Sequence, residues 1–290
     1  MIGVVQTKRP TPTLRMRRLA AELLRLRREA GLSQEEVAAR TDINVATLYR
    51  IESAKAKPQL RTLNTLLDTY EVEAGRRADL VALQKEAGKR GWLHAYDSEL
   101  PGQLTAFIGF EQEAREILNY ESLFVPGMLQ TEDYARAVIA GVLPGATGGE
   151  VETRVAARMR RQDLLTTPDR PKLWAVIDEA ALHRLVGGPS VRRAQLAHLR
   201  DCADSPHVTV QVVPFSAGAH PGMPGSFIIL RFGPQDPDVV YIDSMAGDLF
   251  LEEETDLIRH NMMFEHLRAV ALSPSDTLAL LASLINEDHE

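Results

Sequence analysis

The sequence predicts an all-α bundle of five helices, followed by a mixed α/β domain. Apolar residues recur at helical spacing through the first 88 residues, which is the pattern of helices packed around a common core. In the rest of the chain, short apolar runs typical of buried strands alternate with helical segments. A chain of 290 residues is also long enough for two domains of roughly 100–200 residues each.

Glycines and prolines mark the boundaries between these segments. Pro10 and Pro12 prevent a regular element at the N-terminus, and four glycines and prolines between 88 and 102 interrupt the chain after the last helix of the bundle. We therefore predict a flexible arm over 1–12, the helical bundle over 13–88, a linker over 89–104 and the α/β domain over 105–290.

The composition is that of an ordinary globular protein, with 44% hydrophobic and 25% charged residues. No apolar run approaches the roughly 18 residues that a membrane span needs, and the N-terminus lacks the apolar core of a secretion signal. The single cysteine, Cys202, excludes an internal disulfide and a multi-cysteine metal site. We expect a cytoplasmic protein that does not bind membranes.

The charge is unevenly distributed along the chain. Residues 1–61 contain 13 Lys and Arg against 6 Asp and Glu, a net charge of +7, whereas the remainder contains 20 against 34, a net charge of −14. A basic domain on an acidic body suits a phosphate-binding module carried by a domain that does not itself bind DNA. The alternative is that the arginines only line solvated helix faces.

The second and third helices predict a helix-turn-helix. Ser33 and Glu36 have the spacing of a capping box at the start of the second helix. A four-residue turn then ends at Asn44, which can cap a third helix over 45–53. In that helix Leu48 and Ile51 lie three residues apart and so point inward together. Two short helices, a tight turn and a polar outer face are typical of a domain that binds DNA.

This stretch resembles the helix-turn-helix domain of phage-repressor-like (XRE-type) transcriptional regulators over about 13–70. The matching residues are Leu26-Arg27, Gly31-Leu32-Ser33-Gln34, Val37-Ala38, Leu48, Ile51-Glu52 and Pro58. Asp42 departs from the family, which usually has glycine in this turn. The resemblance implies an internal ion pair between Arg27 and Glu52, and a homodimer on a palindromic double-stranded DNA operator.

The predicted DNA contacts fall into two kinds. Phosphates would meet the amides of Gln34 and Asn44 at two helix N-termini, and the polar side chains that follow the third helix, Ser53, Lys55 and Lys57. Bases would be read by the outer side of that helix: Val45, Ala46, Thr47, Tyr49 and Arg50. The alternative for Tyr49 is packing against the second helix.

In the second half we predict a helix over 111–119, a short extended segment over 120–124 and four strands. The strands are expected over 173–177, 208–213, 226–232 and 239–243, with a turn at 233–237 between the last two. The remaining helices are expected over 132–140, 150–165, 178–186, 190–202, 252–271 and 276–285.

From about 111 to 281 the chain also resembles the uncharacterised C-terminal domain of a large group of actinobacterial XRE-type regulators, described as antitoxin-like and often encoded beside a small partner protein. The motifs that carry the resemblance are VPGMLQTEDYARAV, Arg154, Arg158, RRQDLL, VIDEAALHRLVGG and VQVVPFSAGAHPGMPGSFIIL. It implies a regulator whose second domain receives a partner or ligand, and it supplies no catalytic residues.

Catalysis is not expected from this domain. Candidate groups exist at the ends of the predicted strands and in the Gly-rich loop: Asp178, Glu179, His183, His220 and Asp243. However, the sequence has no nucleophile elbow, phosphate loop, metal-spaced histidine pair or dinucleotide fingerprint. We therefore predict no enzyme activity, no cofactor and no metal site.

Two binding roles remain for the second domain: recognition of a small protein, or of a small effector in a pocket. Arg154, Arg158 and Arg161 recur on one helical side and are candidates for an acidic partner or an anionic ligand, as is His220. The alternative is that the arginines pair with acids of the same chain. A protein-interaction scaffold, or a small-molecule-binding protein without operator specificity, is the alternative to the regulator as a whole.

Overall fold

A computed structural model describes residues 12–86, 100, 102–234, 236–244 and 247–287. These residues form two units. The first consists of 12–86 and 102–110, and the second consists of Leu100 and the described residues from Glu111 onward. Almost all of the predicted arm and most of the predicted linker lie outside the described residues, so the domain boundaries stay predictions.

The first unit is all-helical, as predicted. Its helices are α1 (Leu14–Glu29), α2 (Gln34–Arg40), α3 (Val45–Glu52), α4 (Leu60–Thr69), α5 (Ala74–Glu86) and the part of α6 (Gly102–Glu113) that ends at Phe110. Leu23, Leu48 and Leu63, from α1, α3 and α4, are fully buried in one core. Leucines at helical spacing therefore bring the helices of the bundle together.

The fourth helix begins two residues later than predicted. From the sequence we predict that Pro58 opens this helix, but α4 starts at Leu60 with Gln59 in extended backbone as its N-cap. Pro58 is buried, and its carbonyl accepts a hydrogen bond from Gln84 Nε2 at 2.9 Å. The proline therefore ties the segment ahead of α4 to α5.

The second unit is built around a six-stranded mixed sheet, which confirms the predicted α/β class. Its strands are β1 (Glu116–Glu121), β2 (Lys172–Asp178), β3 (Val208–Val213), β4 (Phe227–Arg231), β5 (Val239–Ile242) and β6 (Leu249–Leu251). Their order is β3-β2-β1-β4-β5-β6. The pairs β1–β2 and β2–β3 are parallel, whereas β1–β4, β4–β5 and β5–β6 are antiparallel.

Helices and buried aromatic side chains complete the second unit. Its helices are α7 (Glu132–Val142), α8 (Gly148–Gln162), α9 (Glu179–His183), α10 (Pro189–Ala203), α11 (Glu254–Val270) and α12 (Pro274–Glu287). Tyr120 of β1, Phe227 of β4 and Phe264 of α11 are buried in the same core. The three parallel strands end on the same side of this sheet, where loops can form a site.

The predicted helix over 111–119 is wrong beyond Glu113, and the predicted extended segment over 120–124 is right only at residues 120–121. The α6 helix ends at Glu113, and residues 116–121 form β1, which pairs with β2 on one side and β4 on the other. Residues 117–120 are all buried, as expected for a strand covered on both faces. The packing of these residues inside the sheet therefore overrides the local helical preference from which the helix was predicted.

One strand near the end of the chain was not predicted. The edge strand β6 has only three residues, too few for a visible alternation, and Leu249 within it is exposed.

Among the described residues no single helix is long and apolar enough to cross a membrane. The segments Glu254–Val270 and Pro274–Asn286 pass that test of length and composition only as a pair bent by 66°.

Candidate functional site

Two side-chain caps fix the turn between α2 and α3. Ser33 Oγ accepts a hydrogen bond from the Glu36 N–H at 3.1 Å, and Glu36 Oε2 accepts one from the Ser33 N–H at 2.7 Å. Asn44 Oδ1 accepts a hydrogen bond from the Thr47 N–H at 2.7 Å and so caps α3. Because these caps satisfy donors that a first helical turn leaves open, the local sequence itself sets the helix-turn-helix.

The turn does not require glycine at position 42. Asp42, at the position where the resemblance predicts glycine, has a negative φ. The turn is shaped by Thr41, whose hydroxyl donates to the Val37 carbonyl at 2.9 Å and accepts a hydrogen bond from the Ile43 N–H at 3.2 Å. The departure at Asp42 therefore leaves the turn intact.

The third helix has one buried and one exposed side. Leu48 and Ile51 are buried in the core of the first unit. The predicted base-reading residues lie on the rest of its surface: Ala46, Tyr49 and Arg50 are exposed, whereas Val45 and Thr47 are half-buried. Tyr49 is 51% exposed, so it is not a core residue packed on α2.

The turn after α3 carries Ser53, Lys55 and Lys57, the predicted phosphate contacts. Ala54 has a φ of +54°, and the Lys55 N–H donates to the Arg50 carbonyl at 2.7 Å. Lys55 Nζ lies 3.4 Å from the Tyr49 hydroxyl and 5.1 Å from the centroid of its ring. Lys55 therefore extends the exposed side of α3. We call Ala46, Tyr49, Arg50 and Lys55 together the α3 surface.

A buried ion pair holds α3 against α1. Arg27 Nε lies 2.7 Å from Glu52 Oε1, and the Arg27 Nη2 donates to Glu52 Oε2 at 3.0 Å. Glu52 Oε2 also accepts a hydrogen bond from Gln34 Nε2 at 2.8 Å. The phosphate contact of Gln34 stays a prediction, and it would use the second N–H of that amide.

The arginines of α8 do not form the exposed surface that we expected. Arg161 forms two hydrogen bonds of 2.8 Å with the carboxylate of Glu111, which is buried. Arg158 Nη1 donates to Gln130 Oε1 at 2.9 Å. Burial and the neighbouring Arg161 charge lower the pKa of Arg158 to about 10. Arg154 is half-buried. Arg158 and Arg161 are half-buried and bind residues of the same chain, so the alternative of pairing within the chain holds for Arg161, and a contact with a partner stays a prediction.

A cavity of about 280 Å³ lies at the carboxyl ends of the three parallel strands. We call it the sheet-end pocket. Its lining consists of Tyr120, Ser122, Asp178, Pro214, Phe215, Gly218, His220 and Met223. Tyr120 belongs to β1 and Asp178 to β2, and Pro214 directly follows β3. This is the edge at which α/β folds commonly bind ligands.

Asp178 has two tasks in the sheet-end pocket. Its Oδ1 accepts a hydrogen bond from the Ala180 N–H at 2.9 Å and so caps the short helix α9. Its Oδ2 lies 3.1 Å from Nε2 of His220, which is 93% buried because only 7% of its side chain is exposed. A carboxylate accepts hydrogen bonds, so this contact places a proton on Nε2. The opposite ring nitrogen, Nδ1, is buried and has no hydrogen-bond partner among the described residues.

The phenol of Tyr120 is the second buried group of this pocket. Its hydroxyl makes no hydrogen bond within the described part of the chain but lies near the Asp178 carboxylate, and its ring centroid lies 6.1 Å from that of His220 in an edge-on arrangement. Burial raises the pKa of Tyr120 above its ordinary range, and the charges of Asp178 and Glu121 raise it further. The phenol therefore remains protonated and able to donate a hydrogen bond. Sequence analysis missed Tyr120 because its strand was predicted to be partly helical.

The loop after β3 is held by Glu179. Its Oε2 accepts a hydrogen bond from the Phe215 N–H at 2.6 Å, and its Oε1 lies 3.2 Å from His183 Nε2. The ring of Phe215 lies against that of His183, with centroids 5.5 Å apart. Glu179 and His183 thus position the pocket loop but do not line the cavity, and neither does Asp243. Across the described ranges, no group of His, Cys, Asp and Glu side chains is arranged to hold a metal ion.

Comparison with known families matches both units. Residues 18–80 match a family described as a helix-turn-helix domain, and residues 104–283 match a family described as a domain of unknown function, DUF5753. No curated protein and no solved structure matches the chain. The second match covers more than half of the 290 residues. The chain therefore belongs to the DUF5753 family, and it carries an N-terminal helix-turn-helix domain of the kind found in DNA-binding regulators.

Proposed function

We propose that the protein is a sequence-specific transcriptional regulator that binds its operator through the α3 surface. The observation that supports this most is the sidedness of α3. Leu48 and Ile51 anchor it in the core, while Tyr49 and Arg50 face solvent. A helix held in this way can enter the major groove with its outer side against base edges.

The proposed contacts divide by chemistry. Arg50 would grip guanine through its bidentate edge, and Val45, Ala46 and the Thr47 methyl group would meet thymine methyl groups. Lys55 and the other polar residues around the helix ends would bind phosphates and so contribute affinity without sequence preference. The +7 charge of residues 1–61 supports this arrangement.

The regulator is proposed to act in the cytoplasm as a homodimer, since palindromic operators match the two-fold symmetry of a dimer. The second unit would receive a small partner protein, as in antitoxin-like regulators, or a small effector. The sheet-end pocket favours the effector, because two buried atoms in it, the Tyr120 hydroxyl oxygen and His220 Nδ1, have no hydrogen-bond partner in the described ranges. Asp178 and His220 would serve binding, so no catalytic step is proposed.

Selection of duplexes from a random DNA library by the full-length protein tests the first part. The wild type should enrich one palindromic motif with half-sites about one helical turn apart. Arg50→Ala should lose roughly 1–3 kcal/mol of discrimination at one base position in each half-site. Arg193→Ala removes an exposed arginine of α10 and serves as the matched control, with no change in the motif. No enrichment by the wild type would favour a scaffold without operator specificity.

The two candidates for the second unit call for different measurements. Co-purification of a small protein with the full-length chain would favour a protein partner. A rise in the melting temperature with a small molecule, in the absence of any other protein, would favour an effector. Both measurements are independent of the DNA selection.

A further inference from the structure

The sheet-end pocket combines a polar interior with an apolar rim. Tyr120 is fully buried and His220 is 7% exposed, and both reach the cavity. At the rim, Phe215 is 60% exposed and Met223 is 66% exposed. Exposed aromatic and thioether side chains beside buried polar groups are typical of a ligand site.

The interior offers one acceptor and one donor. Asp178 fixes the proton of His220 on Nε2, so the lone pair of Nδ1 is left to accept a hydrogen bond. Tyr120 offers a neutral hydroxyl that can donate one. Leaving such buried groups without partners is unfavourable, and a matching ligand would satisfy both of them.

The loop and the neighbouring side chains restrict the movement of both groups. A Cβ atom added at Gly222 would lie only 2.4 Å from Cε1 and Cζ of Tyr120, so the backbone of the loop presses directly on the phenol ring. His220 is held by Asp178 on one side and meets the Tyr120 ring edge-on. The acceptor and the donor are therefore preorganised side by side.

The charges around the pocket disfavour an anion. Its described lining contains Asp178 but no lysine or arginine. Above about pH 7, where its own carboxyl is ionised, Glu121 adds a second carboxylate close enough to raise the pKa of Tyr120. The volume of about 280 Å³ is at the lower end for small-molecule sites and suits a compact ligand.

We infer that the sheet-end pocket binds a compact, uncharged molecule whose hydroxyl or carboxamide group donates to His220 Nδ1 and accepts from the Tyr120 hydroxyl, with an apolar ring against Phe215 and Met223. The inference gives the chemical class of the effector and so rests on the sensing role proposed for the second unit. It does not depend on operator binding.

Three probes of similar shape test it: benzamide, benzoate and toluene. Each is titrated into the full-length protein labelled with 13C at its methionine methyl groups, and the Met223 signal, assigned with Met223→Leu, is followed. Benzamide should shift this signal saturably. Benzoate should bind at least about tenfold more weakly because of the carboxylates, and toluene about fivefold more weakly because it lacks hydrogen bonds.

Tyr120→Phe keeps the ring and removes only the hydroxyl. It should weaken benzamide about fivefold and leave toluene unchanged. His220→Gln, which keeps a polar side chain at this position, is a second variant for the case that Tyr120→Phe does not fold. The melting temperature of each variant shows whether it is folded. Benzoate binding as tightly as benzamide, unchanged benzamide affinity in Tyr120→Phe, or no saturable benzamide binding by the wild type overturns the inference. The DNA selection described above would stand in each of these cases, so the two failures are distinguishable.

Discussion

The first unit contains Arg27 paired with Glu52, and the second contains Arg161 paired with Glu111; both pairs are bidentate, with a buried carboxylate and a largely buried arginine. Their surroundings differ. Glu52 accepts a further hydrogen bond from Gln34, whereas Arg161 lies close to a second cation, Arg158, and lowers its pKa. The carboxylate of the first pair thus binds side chains from two helices, α1 and α2, while the arginine of the second pair lies beside another positive charge.

The pairs also differ in what they hold. Arg27 and Glu52 are 25 residues apart and join α1 to the end of α3, the helix with the proposed DNA-binding surface. Arg161 and Glu111 are 50 residues apart and join α8 to α6, which directly precedes the central strand of the sheet. The Arg27–Glu52 pair therefore stabilises neighbouring helices of one motif, whereas the Arg161–Glu111 pair joins segments that are farther apart along the chain.

The largest effect is expected from Arg161→Met. It would leave the carboxylate of Glu111, only 2% exposed, without its cation. We expect the free energy of unfolding of the second unit to fall by about 3–5 kcal/mol. Denaturant unfolding followed by Trp174 fluorescence, in a Trp92→Phe background, measures it.

Arg160→Met is the matched control for this change. Arg160 is 59% exposed and pairs with the equally exposed Asp163, so its loss should cost less than about 1 kcal/mol. Equal unfolding free energies in the two variants would show that the Arg161–Glu111 pair has no special weight.

Arg27→Met should have a somewhat smaller effect on the first unit. Glu52 would lose two hydrogen bonds from Arg27 but keep the one from Gln34. We expect the opening free energy of α1 to α3 to fall by about 3 kcal/mol, at the low end for a broken buried pair. Hydrogen exchange of peptides from these helices measures it. Arg25→Met is the control, since Arg25 is 47% exposed, and a similar loss in that variant would contradict the prediction.

The same contrast explains how far the sequence could lead. The caps at Ser33 and Asn44 and the inward Leu48 depend on spacings of three or four residues, so local patterns predicted the helix-turn-helix and the sides of α3. Arg161 pairs with Glu111, which lies 50 residues away in the sequence, so helical spacing could not predict this contact. Periodicity thus showed a shared helical side but not whether solvent or protein lies against it.

The sheet-end pocket was accessible to the sequence only in part. Asp178 and His220 could be chosen as candidates because one ends a predicted strand and the other lies in a Gly-rich loop. Their contact and the position of Tyr120 depend on β1 lying beside β2, and β1 had been predicted as largely helical. A buried strand with four consecutive covered residues gives no alternating pattern to recognise.

A third difference between the units concerns titration. In the first unit, hydrogen bonds from Ser33 lower the pKa of the exposed Glu36. In the second, burial raises the pKa of Glu121 from 4.5 to about 7. Between these two pH values the folded state holds a proton that the unfolded state has released. The free energy of unfolding should therefore fall as the pH rises through this window, and the contribution of the protonated carboxyl is lost above about pH 7.

Glu121→Gln should remove this dependence. We expect the variant and the wild type to differ by about 2 kcal/mol more at pH 8 than at pH 5, with the variant the more stable at pH 8. Denaturant unfolding at both pH values measures the difference. Because the variant is compared with the wild type at each pH, the titration of all other groups cancels. Parallel pH profiles of the two proteins would contradict the assignment.

The smallest effect is expected where the α3 surface meets solvent. Lys55 is exposed beside Tyr49, and a phosphate contact from it would add affinity without sequence preference. Lys55→Ala should weaken binding to all duplexes equally and reduce the slope of log affinity against log salt concentration by about 1. Lys172→Ala removes an exposed lysine from the second unit and should leave the slope unchanged. A loss of slope in Lys172→Ala would place phosphate binding on both units, and a changed base preference in Lys55→Ala would move this lysine from the backbone to the base edges.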